Sequence, residues 1–529
     1  MPAAQVPAIE IPTSSIYDYL FGALTDDDLA RVALIDGSSG AETTYGQLVG
    51  QINALAGALA ARGVGVDDTV AVLCPNIPAF ATVFHGILRA GATATTINSL
   101  YTADEIQNQL TDASATWIFT VSPLLAGVAA AAQQLGLADD HVIVLDGADG
   151  HPSLRDLLSE GHPAPEVNFD AAEHLAVLPY SSGTTGRPKG VMLTHRNLVA
   201  NVAQCREAIG LGSDDRVLAV LPFFHIYGMT VLLNYALAGR SSLVTMPRFD
   251  LAEFLRIIAE YRTTWLFIAP PIAVALAKHP MVDEFDLSSV EVIFSGAAPL
   301  DGALASAVAS RLGCVVTQGY GMTETSPVTH TVPVHRTDID RSAIGVPLPN
   351  TEVRLIDPES GLVIPVPDSG VSDRGEIQIR GPQVMKGYLG NEDATRATLD
   401  DDGWLHSGDI ATVDSNGSYQ IVDRLKELIK YKGYQVAPAV LEAVLLTHPK
   451  IADAAVIGAL DDDGQEIPKA FVVVQSGHSL EDSDVIAYVA ERVAPHEKVR
   501  RVAFIDAIPK STSGKILRKD LRAADKAAV

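Results

Sequence analysis

"TVAVLCP" (69–75) leads within a few residues into "AFATVFHGILRAG" (79–91), and this order decides the fold. The first stretch is a short apolar run closed by proline, which reads as a buried strand. The second spaces its apolar residues as a helix does and stops at glycine. The pair recurs as "ATWIFT" (115–120) before "LAGVAAAAQQLG" (125–136). Parallel strands need a long crossover and bury both faces, so strand–helix repeats of this kind predict an α/β architecture of mostly parallel sheets covered by helices. "DRVLAVLPFF" (215–224), "TWLFIAP" (264–270) and "VEVIFSG" (290–296) predict further strands, each ended by Pro or Gly. In such sheets ligands bind beyond the carboxyl ends of the strands.

After about Ile344 the pattern changes to shorter strands and Gly/Pro/Asp turns, as in "GEIQIRGPQVMKGYLG" (375–390) and "VDSNGSYQIVD" (413–423). This predicts a small β-rich subdomain over about 344–424. From Leu425 a small α+β domain is expected, with helices in "APAVLEAVLLTHP" (437–449) and "DSDVIAYVAERVA" (482–494) and strands in "DAAVIGA" (453–459) and "KAFVVVQ" (469–475). The charge count divides at the same place. The segment from Leu425 carries 15 basic and 15 acidic residues, whereas the first 424 residues hold 23 basic and 49 acidic, the whole net charge of −26. The expected organisation is a large N-terminal domain, 1–424, and a C-terminal domain, 425–529.

A length of 529 residues with 47% apolar and 19% charged composition excludes a disordered or fibrous chain and is too long for one core. The acidic balance argues against nucleic acid, whose phosphates need a basic surface. No apolar run is long enough for a membrane span. "MPAAQVPAIEIP" has no basic leader and "DKAAV" no peroxisomal tripeptide. Cys74, Cys205 and Cys314 lie far apart without a CxxC pair, so neither a zinc site nor a disulfide framework is expected. A cytoplasmic protein with no obligate protein partner fits these absences.

The most informative loop follows the apolar run "LAVLPY" (175–180). "YSSGTTGRPKG" (180–190) offers four Ser and Thr hydroxyls, three glycines and Lys189 behind a proline. Glycines let backbone N–H groups approach an oxyanion, hydroxyls add donors and the lysine adds a cation, so a polyphosphate is the expected ligand. The spacing is not that of GxxxxGK[ST], because Gly183 and Gly186 stand three apart and Lys189 is flanked by Pro188 and Gly190.

With "VMLTH" added, the loop resembles the signature of the adenylate-forming enzymes, a family that includes acyl-CoA ligases, insect luciferases and adenylation domains of peptide synthetases. Six more stretches match in order: "LPFFHIYGM" (221–229), "SGAAPL" (295–300), "QGYGMTETSPV" (318–328), "GWLHSGD" (403–409), "DRLKELIKYKGYQVAP" (423–438) and "PKSTSGKILR" (509–518). Within the family the wording is most similar to the 4-coumarate:CoA ligases. The resemblance implies two half-reactions. A carboxylate attacks the α-phosphate of ATP and releases pyrophosphate; then the thiol of coenzyme A attacks the acyl-adenylate and releases AMP.

The resemblance also implies residue roles. Ser181, Ser182, Gly183, Thr184, Thr185 and Lys189 would cradle phosphates. Gln318, Gly319 and Tyr320 would face adenine and ribose, with Thr323 near the α-phosphate and Glu324 holding Mg²⁺. Asp409 would accept the ribose hydroxyls beside Arg424. Lys515 would bridge carboxylate and phosphate; its other reading is a lysine on a basic terminal helix with Arg518, Lys519 and Arg522. Lys426 would be the hinge of a mobile C-terminal domain, Lys430 would serve the second step, and Arg248, Lys432 and Gly433 would touch coenzyme A. His225 would close the acyl pocket, lined by Ile226, Tyr227, Val231, Gly296, Gly319, Gly321, Pro327 and Val328. Glycines there would leave room for a flat ring, which suits a cinnamate-type acid. A medium-chain or other aryl acid, a carrier-protein acceptor and a luciferase-like oxygenation stay open, and an ATPase would differ by leaving ADP.

Overall fold

The computed structural model describes residues 7–181, 188–431, 434–461, 465–511 and 514–528. The strand read at 69–75 forms as Thr69–Val72 and the helix read at 79–91 as Pro78–Arg89. Pro78 sits in the first turn, where its missing N–H costs no hydrogen bond. Thr69–Val72 lies in the middle of a sheet whose neighbours Thr93–Thr96 and Trp117–Thr120 are both parallel to it. This sheet turns antiparallel at the edge formed by Leu175–Val177, Lys189–Thr194 and Gly387–Tyr388.

A second sheet carries the other predicted strands side by side. Ser242–Thr245, Arg216–Ala219, Trp265–Ile268, Val292–Ser295 and Val315–Gly321 run parallel in that order. Ile268, Ser295 and Gln318 share one register; the first two strands end there, while the third runs on to Gly321 against Val328–Thr331. One expectation is corrected here. "DRVLAVLPFF" is a strand only to Ala219. Pro222 can donate no ladder bond, and the Asn76 side chain captures the backbone beyond it, donating to Ala219 O (2.9 Å) and Leu221 O (2.7 Å) and accepting from Phe223 N (2.8 Å). The chain then enters a π-helix, Tyr227–Asn234.

Residues 352–424 form a five-stranded antiparallel sheet with its own small core around Leu355, Ile377, Ile379 and Val413. From Ile429 a separate core, including Leu441, Val456, Val472 and Val485, gathers the α+β segment. The two bodies meet through Ile410, Leu428 and Ala437. Asp423 Oδ2, at the end of strand Tyr419–Arg424, also accepts the Ala439 N–H at 2.8 Å. Among the described residues no helix is long and apolar enough to cross a membrane.

Candidate active site

The carboxyl ends of both parallel sheets, the β-rich sheet and the C-terminal segment enclose a cleft of about 970 Å³. One wall is apolar. Thr96 Oγ1 donates to Phe224 O (2.7 Å), and with Asn76 it fixes the "LPFF" turn that presents His225, Ile226 and Tyr227. The Tyr227 hydroxyl donates to Phe294 O (3.3 Å), laying the ring against Gly296. On the far side Asn201 clamps Val328 through both backbone groups, at 2.7 and 3.0 Å, and so sets the Pro327–Val328 wall.

The glycines of this wall have a different reason from the one expected. A Cβ on Gly319 would stand 2.5 Å from Phe294, and one on Gly321 would stand 2.0 Å from Pro327 O. Both are glycine because neighbouring protein atoms touch them, not to leave room for a ring. At Gly296 a Cβ would meet the Tyr227 ring at 2.8 Å, so this glycine sets where the pocket's aromatic face lies.

The opposite wall is polar. Asp409 and Arg424 face each other across adjacent strands, and Arg424 Nε lies 3.3 Å from Asp409 Oδ1. The Tyr320 hydroxyl donates to Asp409 Oδ2 at 2.6 Å. Glu324 is 7% exposed, and its Oε1 accepts the Tyr388 hydroxyl at 2.7 Å. Lys189 Nζ rests 3.7 Å from the centre of the same tyrosine ring. Burial lowers the Lys189 pKa, with Glu324 opposing and Lys426 adding to the shift. Thr323 and Ser181 complete this wall. Among the described residues Glu324 Oε2 carries no hydrogen bond, and no cluster of three His, Cys, Asp or Glu side chains exists to hold a metal. A lone carboxylate with an open oxygen suits Mg²⁺, which takes its remaining ligands from phosphate and water.

Lys515 reaches into the cleft from the C-terminal domain. It is not on the terminal helix, which starts at Arg518. A hairpin closed by the Lys510–Ile516 bridge presents it: Ser511 N donates to Lys515 O (2.8 Å), and Lys515 N to Ser511 Oγ (3.1 Å). Arg518 instead makes a buried bidentate pair with Glu442. Burial, reinforced by Arg424 and opposed by Asp409, pulls Lys515 down to about 8. Burial and the Lys515 charge push His225 down to about 4, so its imidazole is neutral.

Other expected positions are not brought together. Gln318 is buried with its amide bonded to Leu300 and Arg341, which fixes the "SGAAPL" turn instead of contacting the cleft. Val231 packs in the core on the π-helix, outside the cleft lining. Lys430 is exposed and away from the cleft, and Arg248 is exposed. Lys426 stands at the rim, between strands Tyr419–Arg424 and Ile429–Tyr431. Ser182, Gly183, Thr184, Thr185, Lys432 and Gly433 lie outside the described residues. Tyr388, Phe294, Glu376 and His406 line the cleft without having been singled out from sequence. For Tyr388 the signal was an aromatic residue next to Gly387 in "MKGYLG".

The cleft gathers a carboxylate–arginine pair, a second carboxylate, two lysines and an apolar slot, and comparison with known families places the chain among the adenylate-forming enzymes. The chain belongs to the AMP-binding enzyme family, which matches residues 26–389, and the AMP-binding enzyme C-terminal domain matches residues 440–515. It is 42% identical to 4-coumarate--CoA ligase 5 of Oryza sativa subsp. japonica over 531 residues, covering 98% of this chain and 96% of that protein. With 4-coumarate--CoA ligase 1 of Solanum tuberosum it shares 40% identity over 532 residues, with the same coverage of 98% and 96%. Among solved structures, an anthranilate CoA ligase in complex with anthranoyl-AMP matches with a TM-score of 0.89 at 26% identity, covering 100% of both chains.

Proposed function

We propose that the protein is an ATP-dependent, AMP-forming acid:CoA ligase that acts on a hydroxycinnamate-type acid through an acyl-adenylate. The observation that carries this reading is Lys515, supplied by the C-terminal hairpin to a cleft that holds an apolar slot on one side and the Asp409–Arg424 pair on the other. Joining a carboxylate to a triphosphate brings anions together, so fixed cations at the reacting centre contribute most of the rate.

In the first half-reaction the acid lies between Tyr227 and the Pro327–Val328 wall, with its carboxylate toward Lys515. Asp409, held by Tyr320 and Arg424, accepts the ribose hydroxyls. Thr323 serves the α-phosphate, and Lys189 with the 181–189 loop serves the phosphates that leave as pyrophosphate. Glu324 would hold Mg²⁺, and the ion would supply positive charge against the phosphates. Neutral His225 closes the slot without presenting a competing cation to the carboxylate.

In the second half-reaction the domain from Leu425 turns about Lys426. Lys515 leaves and Lys430 enters, and Arg248, Lys432 and Gly433 receive coenzyme A. The exposed position of Lys430 suits an arrangement poised for adenylation. The hydroxycinnamate assignment rests on the two coumarate ligases above and on the flat aromatic wall; the anthranoyl-AMP complex supports a compact aryl acid generally. The dispersed free cysteines, two of them buried, support a cytoplasmic setting.

The test is mass spectrometry of reactions containing Mg²⁺-ATP, coenzyme A and a panel of cinnamates, benzoates and fatty acids. AMP with a cinnamoyl thioester is expected. A benzoyl or fatty thioester would overturn the acid class, adenylate without thioester would overturn the acceptor, and ADP would overturn the reaction.

A further inference from the structure

Lys189 and Glu324 attract each other across the cleft, yet no ion pair joins them. Tyr388 stands between them. Its hydroxyl occupies Glu324 Oε1 at 2.7 Å, and its ring lies beneath the Lys189 ammonium at 3.7 Å. We infer that Tyr388 is a positioning residue that keeps Lys189 and Glu324 apart and ready for the phosphate–magnesium end of ATP; this rests on the proposed ATP site.

The physical argument is one of competing partners. A lysine and a glutamate in direct contact would satisfy each other, and both would have to be pried apart before phosphate or metal could bind. A phenol satisfies each without neutralising either. The O–H donates to one carboxylate oxygen and leaves the other open, while the π-face attracts the ammonium without forming an ion pair, leaving N–H groups that can turn to phosphate.

The fold fixes this spacer from both sides. Gly387–Tyr388 pairs antiparallel with Val191–Met192, two residues beyond Lys189 on the same strand, and Leu389 N donates to Gly190 O at 2.9 Å. Met385 N donates to the carbonyl of Glu324 itself at 2.8 Å. Tyr388 N donates to Thr395 Oγ1 at 2.9 Å, and a Cβ on Gly387 would stand 2.8 Å from Thr395 Cγ2, so glycine is required for that approach. Asn197 Nδ2 holds Pro382 O and Val384 O at 2.8 and 2.9 Å, just upstream.

Two variants separate the two contacts. Tyr388→Phe keeps the ring and loses the hydroxyl; Tyr388→Leu loses both. Titration calorimetry with ATP in EDTA reads Lys189, and the gain in affinity on adding Mg²⁺ reads Glu324. For Tyr388→Phe, metal-free ATP affinity is expected to match the wild type, with the Mg²⁺ gain reduced about tenfold, the size of one hydrogen bond to a charged group. For Tyr388→Leu both are expected to fall, and adenylation should drop at least tenfold relative to thioester formation from supplied acyl-adenylate. Wild-type values for both quantities in Tyr388→Leu, or equal loss of metal-free and Mg²⁺-dependent binding in Tyr388→Phe, would overturn the spacer role. Failure of the wild type to bind ATP would overturn the ATP site itself.

Discussion

Lys515 answers two opposed demands. In the proposed adenylation it must be charged when carboxylate meets phosphate, yet the burial that makes its charge effective also lowers its pKa to about 8. The sign follows directly: the ammonium is present below that pH and is lost above it. Adenylation kcat/KM should therefore fall as pH rises through about 8, measured by pyrophosphate exchange, while thioester formation from supplied adenylate should lack that limb. Lys515→Ala should lose about 10²–10³ in adenylation and keep the second half-reaction; equal loss in both would refute the role. Gly296 can be tested in the same assay. An added methyl would meet the Tyr227 ring at 2.8 Å, so Gly296→Ala should force the ring into the slot. Its KM for ring-substituted cinnamates should rise by about tenfold or more, in line with the penalty for overpacking a filled wall. An unchanged KM would show that the acid does not lie against Tyr227.

Helix His195–Ile209 shows how elements place such residues. Thr194 and Asn197 cap its start reciprocally, and Asn197, Asn201 and Gln204 follow on one stripe. Each spends its amide on backbone or amide groups of loops far along the chain: Pro382 and Val384, Val328, and Pro349 with Gln383. Asn201→Ala would leave both backbone groups of buried Val328 unpaired, at a cost of about 1–3 kcal/mol. A lower melting temperature and a KM that rises for the acid more than for ATP are expected; an equal rise for both would remove the acyl wall from the explanation. That stripe also marks the limit of sequence reading. Strands were legible as apolar runs, and Lys515, Glu324, Asp409 and Arg424 as members of recognisable motifs. Polar residues at helical spacing look like a solvent face, because nothing local reveals a carbonyl more than a hundred residues away. Nor does side-chain periodicity reveal the π-helix at Tyr227–Asn234. Its entry depends on Asn76 and on Gly228, whose Cβ would stand 2.1 Å from Pro222 O. Val231 sits on the same helix, which turns it inward, outside the cleft lining.

At the scale of the whole molecule the cleft is completed by a part that the proposed second half-reaction requires to leave it. Gly514, at φ +83°, brings the Lys515 hairpin against Ala269 and Pro271, where a Cβ would find atoms at 3.2 and 3.3 Å. Gly514→Ala crowds only the docked arrangement at that contact. A bias of about 1 kcal/mol would slow adenylation roughly fivefold relative to thioester formation, and equal slowing of both would show that the contact does not distinguish the two steps. The break in charge near residue 425, visible from counting alone, coincides with the change from the core of the five-stranded sheet to the separate one beginning at Ile429. It has a further consequence. Lys189, Arg424, Lys426, Lys510 and Lys515 all line a single recess in a chain of net charge −26. Beyond about 10 Å at ordinary ionic strength the exterior repels anions only weakly, so small ones reach the recess by diffusion and are held there. A long polyanion reaching the same lysines would also extend over the exterior of a chain of net charge −26 and be repelled along its length. On this argument charge would act as a sieve by size, favouring single nucleotides over nucleic acid built from the same units.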